Sequence, residues 1–172
     1  MTQDILWEPM VLSIYFNSRG FGYALFEGVN NPVDWGIKSV RTANIEEGIK
    51  KAKILIHMLH PSVLVLQDCK AKVSRCSDRV KRQVHGIATA AKKQGLEVFR
   101  YSREDVRRFF APYGGTKKDD IARVIAQLMP EFAREVPPRR KVWMNEDYRM
   151  TLFDALALVS TYYSTGSDGV SR

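Results

Sequence analysis

An α/β fold on a five-stranded mixed sheet, in the order β-β-β-α-β-α-β followed by C-terminal helices, is what this sequence predicts, and three observations carry that reading. Residues 11–28, VLSIYFNSRGFGYALFEG, read as two strands joined by a tight turn at Asn17-Ser18-Arg19-Gly20, because β-branched and aromatic residues flank a cluster whose Asn and Gly tolerate positive φ. Residues 32–41, PVDWGIKSVR, alternate Val33, Trp35 and Ile37 with Asp34, Gly36 and Lys38, which adds a half-buried third strand and completes an antiparallel meander. Residues 63–66, VLVL, are a short continuous apolar run after a helical segment, the pattern of a strand covered on both faces; a helical crossover makes it parallel to the first strand.

The remaining elements follow in chain order. Asn44 offers an N-cap with Glu47 three residues on, a capping-box pattern. Ile45, Ile49, Ala52, Ile56 and Leu59 then recur at helical spacing, leaving Lys50, Lys51 and Lys53 in water until Pro61 ends the helix. The fourth strand closes on Gln67-Asp68. Residues 70–82, KAKVSRCSDRVKR, begin as a loop and become a helix near Ser77 that runs through Val80, Val84, Ile87, Ala88 and Ala91 to Gly95. Residues 96–101 read as a fifth strand, central and parallel to the first and fourth. Ser102 with Asp105 caps a short helix over Val106, Phe109 and Phe110. After the turn at 112–115, Thr116 with Asp119 reads as a second capping box opening a helix over 117–131. Residues 137–141, PPRRK, read as an extended basic loop. A last helix from about Asn145 or Met150 to Tyr163 is expected to pack across the strand ends. The whole reads as one domain over residues 1–163 with a polar, disordered tail over 164–172.

Composition narrows the classes of function. A chain of 172 residues that is 45% hydrophobic can bury a domain-sized core. No run approaches the roughly 20 apolar residues of a bilayer span, and MTQDILWEPM lacks a basic segment followed by an apolar one, so no membrane partner is expected and the cytoplasm is the default compartment. Cys69 and Cys76 fit neither zinc nor CxxC spacing and read as reduced thiols, with a regulatory pairing as the alternative. His57, His60 and His85 are scattered and read as cap or surface residues. The net charge of +8 is unevenly placed: residues 1–68 carry −1, residues 69–145 carry +11 and residues 146–172 carry −2. Cations gathered in the middle of the chain point to a basic face, and so to nucleic acid, rather than to general solubility.

The opening strand, the Ser18-Arg19 turn and the following Gly22-Tyr23-Ala24 resemble the start of RuvC-type Holliday-junction resolvases of the RNase H-like superfamily. The stretches GGTKKDDI at 114–121 and FDALALV at 153–159 are similar to two further marks of that family, and the likeness spans roughly residues 10–163. The resemblance implies a metal-dependent nuclease fold whose carboxylates hold two divalent ions. It places Asp154 on the family's metal-binding aspartate and Lys118 on a lysine that contacts nucleic acid. It also places Tyr15 where the first-strand aspartate belongs, Gln67 on the fourth-strand glutamate, Thr151 on a further acidic position and Lys70 where the family has an aromatic wedge.

The expected function is therefore a nucleic-acid-binding, RuvC-like pseudo-nuclease. Its vestigial site comprises Asp154, Gln67, Asp68, Tyr15 and Thr151. Its basic rim comprises Lys70, Lys72, Arg75, Arg79, Lys117, Lys118, Arg139, Arg140 and Lys141. No cofactor is expected, structured or duplex nucleic acid is the expected partner, and a homodimer stays open. The first rival is an active Mg²⁺- or Mn²⁺-dependent endonuclease using Asp154 and Asp68, the latter if the fourth strand slips by one residue, together with an acid such as Glu146 or Asp147. The second is a non-catalytic scaffold or partner-binding subunit.

Overall fold

The computed structural model describes residues 8–41, 44–71 and 74–166. Strand β1 (Met10–Asn17) turns into β2 (Gly20–Glu27) through Ser18-Arg19, with Asn17 opposite Gly20. Asn17 Oδ1 accepts from the Arg19 N–H at 2.8 Å, and Gly20 takes a φ of 144°, which a side chain rarely allows. Strand β3 (Pro32–Ser39) pairs with β2, and β4 (Val63–Gln67) and β5 (Glu97–Tyr101) follow on the other side of β1. The five form one sheet in the order β3-β2-β1-β4-β5, with β1, β4 and β5 parallel. The expected mixed sheet is present, but β5 is an edge and not a centre. Its pattern, exposed Glu97 and half-buried Arg100 between buried Val98, Phe99 and Tyr101, fits that place.

Helices cover both faces, giving three layers. Helix α1 (Ile45–Leu59) and α2 (Asp78–Lys93) bury Leu55, Ile56, Val84 and Ile87 against Leu12, Ile14, Leu64 and Leu66. Helices α3 (Arg103–Phe110), α4 (Lys118–Leu128) and α5 (Met150–Thr165) enclose Val11, Ala24, Val63 and Val65 on the opposite face. The last helix lies on the face of β1 and β2 and not across the strand ends. Ser13, fully buried on β1, donates to the carbonyl of Ala155 at 2.7 Å, and a Cβ on Gly22 would run into the Thr151 carbonyl.

Several local expectations change. Asn44 caps α1 through the Glu46 N–H at 3.0 Å, while Glu47 pairs with Lys51, whose ammonium also reaches the Ser39 carbonyl, so Lys51 is less free than its neighbours. The Ser102–Asp105 capping box forms as expected. The Thr116–Asp119 box does not: α4 starts one residue later, with Lys117 as an extended N-cap that makes no side-chain cap bond. That helix ends at Leu128, because Pro130 opens a separate 3-10 segment, Pro130–Glu135, whose Phe132 packs edge-on to Trp35 with centroids 4.9 Å apart. On β3, Trp35 and Ile37 pack as expected and Val33 stays 48% exposed. Helix α5 runs to Thr165, two residues into the expected tail, the rest of which lies outside the described residues. Cys69 and Cys76 are not free thiols but form a disulfide with Cα atoms 5.6 Å apart, a separation the fold sets by bringing the end of β4 beside the N-cap of α2.

Candidate functional site

In open α/β sheets ligands bind outside the carboxyl ends of the parallel strands. Here the ends of β1 and β4 and the turn after β5 open into a cleft of about 310 Å³, whose lining includes Tyr15, Gln67, Asp68, Lys118 and Asp154. Four of the sequence-predicted positions, Tyr15, Gln67, Asp68 and Asp154, are thus brought together, while Thr151 lines a neighbouring hollow, and they are used differently from one another.

Gln67, only 6% exposed, faces the backbone of β1. Its Oε1 accepts from the Phe16 N–H at 2.7 Å and its Nε2 donates to the Phe16 carbonyl at 2.8 Å. The side-chain amide thereby continues the parallel β1–β4 ladder beyond its last backbone pair, Ile14 with Leu66. Thr151 is likewise engaged: its Oγ1 accepts from Asn17 Nδ2 at 2.8 Å and ties the first turn of α5 to the end of β1. Asp68 follows the last residue of β4. Its backbone N–H donates to the Tyr101 carbonyl at 2.8 Å, and its Oδ1 accepts from the Lys70 N–H at 2.8 Å.

A three-charge cluster stands at the edge of the cleft, with Lys118 and Asp154 in its lining and Glu146 beyond it. Lys118 Nζ donates to Asp154 Oδ2 at 3.1 Å and to Glu146 Oε1 at 3.0 Å, and lies 5.8 Å from the centroid of the Tyr15 ring. Burial disfavours the ammonium, but Asp154, Tyr15 and Glu146 together outweigh it and hold Lys118 above the ordinary lysine value. Burial pushes the Asp154 carboxyl up to about 6, with Lys118 pulling the other way. Burial, and then the Asp154 charge, push the Tyr15 hydroxyl up to about 12, so it stays neutral. Asp147 faces away into a different partnership, a two-point pair with Arg149 at 2.7 and 2.9 Å, which lowers its carboxyl.

A two-ion centre needs several charged oxygens directed at one point. The donor set does not fit Mg²⁺ or Mn²⁺ in that role. Tyr15, Gln67 and Thr151 supply no carboxylate, Asp68 caps its own turn, and Asp154 and Glu146 share the Lys118 ammonium. Among the described residues, no three histidine, cysteine or acidic side chains are grouped to hold an ion.

The cations divide as well. Lys70, Arg75, Lys117, Arg139, Arg140 and Lys141 are exposed, Arg79 is half-buried and Lys72 lies outside the described residues. Lys118 is the exception, turned into the cleft instead of standing on its rim. Arg103 and Arg107, which sequence reasoning passed over, also line the cleft. Their signal was present in the capped segment REDVRRFF directly after the fifth strand. No helix among the described residues is long and apolar enough to cross a membrane.

The sequence matches no protein-family model and no curated protein. Solved structures with the same architecture do exist. Thermus thermophilus RuvC in complex with a Holliday junction substrate superposes with a TM-score of 0.65 at 17% identity, covering 91% of this chain and 94% of that one. The yeast mitochondrial Holliday junction resolvase Ydc2 gives 0.62 at 12% identity, covering 92% and 79%. The fowlpox virus resolvase in complex with Holliday junction DNA gives 0.52 at 11% identity, covering 87% and 99%. The sheet order, the helix layers and these likenesses agree on one RuvC-like, RNase H-like fold.

Proposed function

From a RuvC-like fold whose cleft carboxylate is paired with a lysine of the chain, we propose a nucleic-acid-binding pseudo-nuclease: a protein that engages structured or duplex nucleic acid through a basic rim without two-metal cleavage. The observation that carries this reading is the Lys118 ammonium between Asp154, which lines the cleft, and Glu146, so that the cleft carboxylate not tied to its own turn is paired with a cation of the chain. The rim supplies the binding energy. Arg75 and Lys70 lie beside the end of β4, Arg103 and Arg107 on α3, and Lys117 at the start of α4, where free backbone N–H groups also suit a phosphate. That two of the structural neighbours were solved with Holliday junctions supports branched DNA as the first substrate to test.

Fluorescence anisotropy with a labelled four-way junction and a matched duplex, across a KCl series, tests the proposal. Affinity is expected to fall with salt by about 0.9 in logarithmic slope per phosphate contacted. Replacing Arg75 and Lys117 together by Gln lowers the slope by up to about 2, while Lys50→Gln with Lys53→Gln, both on the exposed side of α1, leaves it unchanged. With Mg²⁺ or Mn²⁺ added, wild-type protein gives no more cleavage product than Asp154→Asn. Robust cleavage that Asp154→Asn removes refutes the pseudo-nuclease reading in favour of a nuclease using Asp154 and Asp68, which do line one cleft. No binding at low salt leaves the scaffold reading.

A further inference from the structure

Between the basic loop and α5 the chain makes a tight turn, closed by the Met144 N–H donating to the Lys141 carbonyl at 2.9 Å. At its tip stand Val142, 98% exposed, and Trp143, 79% exposed. A tryptophan exposed to this degree contributes little to the core and invites a partner for its ring. The chemistry around it says which kind. Arg139, Arg140 and Lys141 precede it with Val142 between, all three exposed, and the Lys141 ammonium sits 5.4 Å from the centroid of the Trp143 ring. One ring face is thus matched by a cation and the ring is otherwise open. The turn is also anchored to the candidate site, since Glu146, three residues on, holds Lys118 in the cleft.

We infer that Trp143 is a base-stacking platform that receives an unstacked base of the bound nucleic acid, while Lys141 and the two arginines hold the adjoining phosphates. This rests on the nucleic-acid-binding reading and specifies which structures are preferred. An indole ring with neighbouring cations suits a strand whose base is already out of the stack, at a bulge, gap or branch point, because a paired base hides its π-face inside the duplex. It suits no particular sequence, because every base offers such a face. An acidic protein surface would satisfy the cations but has no need of an aromatic plane free on one side, so nucleic acid is the favoured occupant.

The test compares two labelled probes, a fully paired duplex and the same duplex with one unpaired adenine, against wild-type, Trp143→Ala and Trp143→Phe proteins. Wild-type protein is expected to prefer the bulged probe. Trp143→Ala weakens that binding by about 5- to 150-fold, the equivalent of the roughly 1–3 kcal/mol a stacked base is worth, and changes duplex affinity less than about twofold. Trp143→Phe restores part of the preference. A fluorescent adenine analogue at the bulge reports stacking as a change in emission that Trp143→Ala abolishes. If wild-type protein binds both probes and Trp143→Ala leaves their ratio unchanged, the inference is wrong while the binding reading stands. If neither probe is bound at low salt, both fall.

Discussion

Gln67 shows how an apparently degenerate position can acquire a use of its own. As a carboxamide it both accepts from and donates to the Phe16 peptide group. A glutamate would keep the first bond but set a carboxylate oxygen against the Phe16 carbonyl, leaving a buried acceptor without its donor. Gln67→Glu is therefore expected to destabilise the protein by about 1–3 kcal/mol in urea unfolding at neutral pH. Stability equal to wild type would show that the paired amide is not what holds Gln67 in place. That positions 15 and 67 meet follows from strand order, which sets the ends of β1 and β4 side by side, while position 154 joins them in the sequence reading only through the family resemblance. The hydrogen-bond partners did not follow. Alternation along a strand states which face a side chain leaves from, and says nothing about a terminal residue that bends back to a neighbouring backbone. Lys118 is the same case, since a lysine at the start of a helix reads as a solvent-facing cation until Glu146, distant in sequence, is folded against it.

The strands and most helices were read correctly because their periodicities are strong: VLVL in β4, the meander of β1 to β3, the stripe of α1 and the Ser102–Asp105 cap. The misreadings lie where contact, not pattern, decides. Helix α5 is apolar nearly all round, burying Leu152, Phe153, Leu156 and Val159, so its sequence fixed no single face and its seat on β1 and β2 could not be foreseen. That seat depends on close approach at Gly22, where the Thr151 carbonyl occupies the space of a Cβ. Gly22→Ala is expected to push out the first turn of α5, costing about 1–3 kcal/mol as other overpacking substitutions do, with a lower melting temperature as the readout. An unchanged melting temperature would mean that α5 can shift without loss. The disulfide was equally hidden: two cysteines seven residues apart match no metal or redox spacing, and only the meeting of β4 with α2 brings them within bonding distance.

For the molecule as a whole, charge carries the functional argument. The middle of the sequence holds the excess of cations, and folding sorts them, leaving Arg75, Lys117 and Arg139 to Lys141 exposed while drawing Lys118 inward. Asp154 makes this arrangement sensitive to pH. Its carboxyl is raised from 3.8 to about 6, so the folded state favours the protonated form; that contribution to stability is complete below 3.8 and lost as pH rises through about 6. For binding the sign is the same. Protonating Asp154 removes a negative charge from the cleft and loosens its hold on Lys118, so nucleic-acid affinity is expected to rise as pH falls through about 6. Affinity measured across this range for wild type and Asp154→Asn isolates the effect, because the two proteins differ only at that carboxyl. Parallel curves would remove Asp154 from the account. The Lys118 cluster has one more consequence. A dissolved cation in such a cleft comes and goes with its concentration outside, and a chelator can strip it away; the ammonium of Lys118 is covalently part of the chain. The charge balance at this strand end is thereby written at translation, and the surrounding ions have no vote in it.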